Sequence, residues 1–572
     1  MDSNALELIK RGDERFSKRA QLDSFRHEVA LNFAPWLAEW TSPLQWGEDF
    51  ASHLVDGTPL LLARDYVNQI GAMLRPPGKQ WFWRRTASED LNNDPAARNY
   101  LDWRSRQTMR MIFDRKTGAQ RSLKHADVFY GLFGDAVVSI DTDDVLETLR
   151  INSFHTKDCV WAMGPENKPD VLTRKEWVSA RNLMKKFRQS GDKLHEKVRE
   201  AYDKQPDRTF EIRHEVLPAD EYEPYKRFKA LRPAQRASFA SVWIDVENKC
   251  VIRERTTPTF RYVIPASLRM PNGPYGLSMA TVIALPDARL IQQQALAILE
   301  AAEKNIDPPL IAMDGDTIRG DIDLSRNGIT WIDRAYDDRN GAPLVPLELG
   351  KNFQLGIDSL VRTEMQITRA FHLDVLRMPD TRGTKSVEEI QFRIDEYVRS
   401  ALPLFAPMQA EYNEAMLFEV DAVAEALGVF PRDEMPDMLK REGDDVNYAW
   451  DNPLTDMMER QKSQEVAEIA QHAQAVLALE QAAMESKALR RFNTERMAIE
   501  PAVGLGGARY LLSDEEMEDK SEEMDQAKQQ RQMIEAAPNM AQIIDSGVNA
   551  AQVASEIPNP ATPGVPLLPM PQ

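Results

Sequence analysis

Apolar positions recur at helical spacing through the first forty residues, at Leu6, Ile9, Phe16, Leu22, Phe25, Val29 and Phe33, and Pro35 closes the run. A second helix is predicted over about residues 59–75, with Thr58 as N-cap and Pro59 at the first helical position. The segment "RPPGKQWFWRR" stops it, and a third helix follows over about 95–113. Between residues 123 and 285 the pattern changes to short β-branched and aromatic runs divided by Pro, Gly and Asp: "DAVVSIDTD", "TFEIRHEVL", "ASVWIDVEN", "KCVIRERT" and "FRYVIP". Two stretches among them, "TRKEWVSARNLMKKFR" and "DKLHEKVREAYDK", read as helices. An α+β domain is predicted here, its strand order left open.

From Pro286 the chain turns helical again. "PDARLIQQQALAILEAAEKN" places Pro in the first turn, Asp287 beside it and Lys304 in the last turn, all favourable to the helix dipole. A turn-rich segment with a few short strands follows, then a helix over about 353–376. A long helical pattern runs from about 386 to 427, with one stripe at Val387, Ile390, Ile394, Tyr397 and Ala401 and another at Tyr412, Met416, Val420, Val423 and Leu427. Pro403 and Pro407 fall between the stripes, so a bend or break is expected there. "MLKREGDDVNYAWDNPL" returns to a strand-like pattern; helices are predicted over 455–499 and in "SDEEMEDKSEEMDQAKQQRQMIEAA". The tail "EIPNPATPGVPLLPMPQ" is expected to lack packed structure.

Composition narrows the class. The chain has 572 residues, 42% of them hydrophobic and 28% charged, the balance of a folded water-soluble protein with room for several cores. No apolar run approaches the roughly 20 residues a membrane span needs, and "MDSNALELIKRGDERF" lacks the apolar core of a signal peptide. Cys159 and Cys250 are too few for a disulfide framework or a thiolate metal site, and are expected to be inert thiols in a reducing compartment. A formal net charge of -19 argues against wrapping of DNA, but not against a surface past which DNA must slide.

Catalytic chemistry is not legible. The eight histidines show no HExxH or other ligand spacing, so no metal and no cofactor is expected. "RGTKS" puts Thr384 between Gly383 and Lys385 and follows a helix, which excludes a Walker loop. "GLGGAR" lacks dinucleotide-binding spacing, Ser139 and Ser153 sit in no GxSxG elbow, and Asp143-Asp144 and Asp337-Asp338 read as solvated surface. An enzyme is not expected.

Two basic segments remain. The connector "HLDVLRMPDTRGTKSVEEI" gathers Arg377, Arg382 and Lys385 between two helical stretches. Three cations in a turn are more often a solvated loop than a nucleic-acid contact. In "RPPGKQWFWRR", Trp81, Phe82 and Trp83 stand beside Lys79, Arg84 and Arg85, a set that could stack bases or, as is more common, anchor a core.

The order of segments adds what no single motif does. "RDYVNQIGAMLRPPGKQWFWRR", "FYGLFGDAVVSID", the His-x-Val-x-Pro pattern at His214, Val216 and Pro218, "GPYGLSMATVIALPDARLIQQQ", "NIDPPLIAMDG" and "DNPLTDMMERQK" follow one another over roughly residues 5–535. In this order the chain resembles the portal proteins, the head-to-tail connectors of short-tailed bacteriophages. Leu277, beside Gly276, departs from the basic residue expected of many relatives.

The resemblance implies an α+β, predominantly helical portal fold that assembles as a ring of twelve around a channel. It implies a wing over 1–285, a first stem helix over 286–305, a clip over 306–352 and a second stem helix over 353–375. A channel loop would occupy 376–386, a long bent helix of the wing 387–430, a returning wing segment 431–454, a helical crown 455–537 and a flexible Pro-rich tail 538–572. Such a ring sits at one capsid vertex of the virion and is assembled in the host cytoplasm. Genomic double-stranded DNA passes through it during packaging and ejection. Implied partners are the major capsid and scaffolding proteins, the terminase large subunit, and tail adaptor or tail tube proteins, with no membrane. Arg377, Arg382 and Lys385 would face DNA, and Asp314, Asp316, Arg319, Arg326, Asp337, Asp338 and Arg339 of the clip would dock motor or tail. The alternative is a helical scaffold or adaptor without a channel, its acidic face docking basic partners; a metal-dependent DNA hydrolase would need a carboxylate cluster that is not identifiable.

Overall fold

A computed structural model describes residues 2–306, 310–312, 344–346, 353–376 and 407–451, with gaps at 46, 77, 89–90, 93, 144–147, 189–191, 227–237, 272, 432–434 and 443–445, and beyond them residues 471 and 474–476. The chain divides into units 1–458 and 459–572, and the secondary-structure elements named below all belong to the first.

Two helices open the chain where one run was expected: α1 (Ser3–Lys18) and α2 (Ala20–Phe33). The apolar period runs through both and conceals the break at Arg19. The cause of the break is distant in sequence, since the buried Arg19 guanidinium donates to the carbonyls of Thr156 (2.8 Å), Lys157 (2.6 Å) and Cys159. Helix α3 (Thr58–Leu74) begins as expected, but Asp56 supplies the acceptor assigned to Thr58: its Oδ1 takes the Thr58 N–H at 2.6 Å. Helix α4 (Pro95–Ile112) is capped by Asp94, which accepts from the Ala97 N–H at 2.9 Å. Helix α5 (Ala119–Phe133) was not foreseen: Gln120, Arg121, Lys124 and His125 are exposed in its first half, but from Ala126 to Phe133 all except Val128 are buried, so its second half has no polar face to set a period.

The β-rich part has two main sheets. Strands β2 (Val137–Asp143), β3 (Thr148–Phe154) and β9 (Tyr262–Val263) pair antiparallel in the order β3-β2-β9. Strands β4 (Cys159–Met163), β5 (Pro169–Ser179), β6 (Thr209–Pro218), β7 (Phe239–Asp245) and β8 (Cys250–Thr257) form an antiparallel meander in sequence order. Ala5 and Leu8 of α1 pack on Val171, Leu217 and Val242, while Leu172, Val216 and Trp161 pack with Val137, Phe260 and Tyr262 on the other side. The stretch 173–188, read as a helix, is strand to Ser179 and only then the short helix α6 (Ala180–Lys186). Its charges mislead because they are met across the fold: Arg174 lies 4.0 Å over the Phe154 ring, and Thr173 donates to Glu215 at 2.6 Å. Helix α7 (Glu196–Lys204) forms as predicted.

Strand β1 (Phe82–Thr86) pairs antiparallel with β14 (Val446–Trp450), Phe82 opposite Trp450. Trp81 and Phe82 are fully buried, and Trp81 stacks parallel to Trp450 at 6.1 Å. "WFWRR" is therefore a core anchor and no base-stacking platform. Its cations are spoken for: Arg84 pairs with Asp421, Arg85 with Asp102 at 2.7 Å and Lys79 with Asp451 at 2.6 Å.

Strands β10 (Leu268–Arg269) and β11 (Gly276–Leu277) lead to the long helix α8 (Met279–Ile306). This helix starts seven residues before the expected Pro286, which lies inside it. Strands β12 (Leu310–Ala312) and β13 (Leu344–Pro346) pair antiparallel, and helix α9 (Phe353–Ala370) comes next. A π-helical turn at Gln409–Glu414, directly after Pro407, precedes α10 (Ala415–Ala426). The largest core collects α2, α3, α5, the first half of α8, the end of α9 and α10.

Candidate functional site

The cations expected to face DNA, Arg377, Arg382 and Lys385, lie outside the described residues, as do the clip residues Asp314, Asp316, Arg319, Arg326, Asp337, Asp338 and Arg339. What is described is the frame that carries them, the helix pair α8 and α9. The two run antiparallel, with Gln294 bridging both turns of its partner: its Nε2 donates to Ser359 Oγ at 2.9 Å, and Thr363 Oγ1 donates to its Oε1 at 3.0 Å. Gly356 allows close approach, since a Cβ there would stand 3.3 Å from Ile298.

One end of the pair is rooted. Ala280, Ala284, Leu285, Ala288 and Ile291 of α8 are buried, as are Thr363, Ile367 and Ala370 of α9. Ser278 Oγ donates to the Gly131 carbonyl (2.6 Å) and Thr281 Oγ1 to that of Leu132 (2.8 Å), tying the start of α8 to α5. Gln292 clasps the 55–56 backbone, accepting from the N–H groups of Val55 (2.7 Å) and Asp56 (2.8 Å) and donating to the Asp56 carbonyl. Just before the helix, Asp135 accepts from the Gly276 N–H at 2.7 Å and pairs with Arg26, wholly out of solvent. Burial outweighs Arg26 and pushes the Asp135 carboxyl up to about 6.

The outer flanks of both helices are apolar and bare along their length. Of the twenty large apolar side chains exposed among the described residues, ten lie on these two helices: Met279, Ile283, Leu290, Leu296, Leu299 and Ile306 on α8, and Leu355, Ile357, Val361 and Met365 on α9. Isolated exposed apolar residues need no explanation, but a concentration on one helix pair marks a surface that something covers.

The segment that holds the basic loop leaves and re-enters one core. Helix α9 breaks at Ala370 and a short helical turn, Leu373–Leu376, follows; between them Phe371 turns inward against Phe33 (5.4 Å) and Tyr66 (5.3 Å) and His372 takes a left-handed φ of 52°. Leu373 is buried behind it. On return, Met408 and Tyr412 enter the same cluster. There Arg75 donates to Asn413 at 2.9 Å, pairs with Asp127 and lies 4.6 Å over the Tyr412 ring. Both ends of 377–406 are thus pinned.

A family model described as "Bacteriophage head to tail connecting protein" matches residues 9–509. The chain belongs to this family. One solved structure similar to the connector, the virion of a native gene transfer agent (GTA) particle, is 9% identical, with 77% of this chain and 94% of that chain covered and a TM-score of 0.35. None of the curated proteins compared matches the connector.

Other groups in the connector serve packing. Burial raises the Cys159 thiol to about 12 and the Cys250 thiol to about 11, so both stay protonated. His214 stacks on Trp243 at 4.0 Å, hydrogen-bonds Tyr262 and Ser241 at 2.7 Å each, and is held neutral by burial. Among the described residues no group of His, Cys, Asp and Glu could hold a metal, and no helix is long and apolar enough to cross a membrane. Sequence reasoning missed Gln292, Gln294 and Gly356; the one visible signal was the triplet Gln292-Gln293-Gln294 inside an otherwise apolar run.

Proposed function

We propose that this connector assembles as a ring, of twelve subunits as the family resemblance suggests, at one capsid vertex, and that genomic double-stranded DNA passes through its centre during packaging and ejection. The observation that carries the reading is the helix pair α8/α9, rooted at one end in the main core and bare of cover on its apolar flanks. In a ring, each pair forms a stem whose flanks are buried by the neighbouring copies. Residues 306–352 are then the clip, which meets the terminase large subunit and afterwards a tail adaptor or tail tube protein. Residues 1–285 and 431–454 make the wing, with the capsid and scaffolding proteins as neighbours, and 455–537 the crown.

Electrostatics fit a conduit. Twelve copies at -19 bring a wall of about -228, which repels a polyanion and keeps it from sticking. Arg377, Arg382 and Lys385, on a loop whose ends are both fixed in the core, supply a ring of phosphate contacts at the constriction, blind to sequence and weakened by salt. The test is packaging by particles carrying Arg382→Ala with Lys385→Ala. Loss of DNA entry or retention in assembled particles supports the contact; wild-type packaging would remove it.

A further inference from the structure

The corner where α4 runs into α5 is one of a few locally basic stretches in this acidic chain. From residue 103 to 126 the sequence holds seven Arg or Lys and a single acid, Asp114, within a protein of net charge -19. One of the seven, Arg104, turns into the core and pairs with Glu425 at 2.7 Å. The other six, Arg106, Arg110, Arg115, Lys116, Arg121 and Lys124, are exposed. Two residues along a helix rotate the side chain by roughly 200°, so Arg106 faces away from the side that Arg104 buries. None of the six makes an ion pair among the described residues: Arg106 lies over the Trp83 ring at 5.7 Å, and Asp114 is engaged by the Lys116 backbone N–H at 2.8 Å.

The corner is also rigid. Thr117 Oγ1 donates to the Ile112 carbonyl at 2.7 Å, the Ile151 N–H donates to the Thr117 carbonyl at 3.1 Å, and Ser122 Oγ donates to the Ile151 carbonyl at 2.8 Å. Helix α5 starts here behind Gly118 with no acid in its first turn, adding the positive end of its dipole to the same place.

We infer that this corner is a second surface for double-stranded DNA, holding phosphates without reading bases. A protein partner is the less fitting occupant. Protein interfaces are built round apolar and aromatic anchors, whereas the only large apolar side chain exposed between residues 103 and 126 is Phe113. Six exposed cations with no ion pair among the described residues, on a fixed framework, are what a phosphate backbone meets. The inference relies on the connector reading only for the presence of DNA in the particle, and it does not involve the channel loop.

The test uses the full-length protein and a fluorescent duplex of random sequence, titrated by anisotropy over a series of salt concentrations. A variant with Arg110→Gln, Arg115→Gln, Arg121→Gln and Lys124→Gln, all at exposed positions, is expected to bind roughly tenfold or more weakly. The slope of log affinity against log salt should fall by about 0.9 for each phosphate that the variant no longer neutralises. The matching variant with Arg110→Lys, Arg115→Lys and Arg121→Lys should retain binding, since a point charge suffices. An Arg377→Gln, Arg382→Gln, Lys385→Gln variant separates this surface from the channel: loss of binding there with none in the corner variant overturns the inference and leaves the channel reading standing. Unchanged affinity in the corner variant, or displacement of the duplex by poly-glutamate as effectively as by unlabelled DNA of equal charge, would overturn it too.

Discussion

Asp135 and Arg26 form a pair with no access to solvent, and the second carboxylate oxygen of Asp135 takes the Gly276 N–H three residues before α8 begins. One carboxyl therefore links α2, the turn after α5 and the approach to the helix pair α8/α9. Asp135→Ala leaves both a buried guanidinium and a buried N–H unmet, and a loss of about 3–5 kcal/mol is expected in denaturant unfolding. Asp135→Asn keeps an acceptor for Gly276 and should recover much of that loss. An Ala variant as stable as wild type would show the link to be idle.

The same carboxyl gives a pH dependence. Its folded pKa, about 6, stands above the ordinary 3.8, so between these values the folded state binds the extra proton. Stability from this group is then full below about pH 4 and falls as pH rises through 6. Asn does not titrate. Thermal melts from pH 4 to 7 should show the difference between Asp135→Asn and wild type moving in favour of Asn as pH rises; a difference constant with pH contradicts the assignment.

Gly134 and Gly428 share a left-handed backbone, with φ of 86° and 70°, but differ in surroundings. A Cβ on Gly134 would collide with the Leu277 backbone, while nothing lies within 4 Å of one on Gly428. Gly428→Ala is expected to cost only the backbone term, about 1 kcal/mol. Gly134→Ala should cost several times more and reduce soluble yield. Equal melting temperatures for the two variants would contradict the close approach.

Pro286 sits inside α8 and deprives the Val282 carbonyl of its helical partner. It is exposed, so Pro286→Ala fills no cavity and meets no clash. A gain of roughly 1–3 kcal/mol is expected, read as a higher melting temperature. A melting temperature that does not rise would show that Pro286 costs the helix nothing where it stands.

Much of the fold was legible where packing is one-sided. The helices at 58–74 and 95–112 and strand β7, with its alternating burial, follow their periods, whereas β6, covered on both faces, was legible from its β-branched and aromatic residues. Reading failed where tertiary contacts replace local signals. Arg174 looks like a helix charge but lies over the Phe154 ring and beside the Tyr262 hydroxyl, the second half of α5 is buried on nearly every side, and the Arg19 side chain at the helix break is bonded to carbonyls more than a hundred residues away. Pro286 resembled a first-turn proline because Asp287 follows it, yet Ser278 and Thr281 set the actual start through bonds to α5. The candidate site was legible only as a loop between two helices; that its ends are held by Leu373 and Tyr412 in one core is a property of the packed state.

The bare flanks of α8 and α9 make assembly testable by substitution. Leu296→Gln with Leu299→Gln replaces two exposed side chains, so the circular dichroism and melting of the isolated chain should be unchanged while the ring fails to form. Unimpaired assembly would assign the flank to another partner.

The most direct measurement is sedimentation of the purified protein coupled to projection imaging of the sedimenting species. Closed rings of many identical copies, each contributing its paired long helices to the wall of a central hole, are expected. A monomer or dimer without a pore, at concentrations where the protein is folded, would contradict the proposed channel.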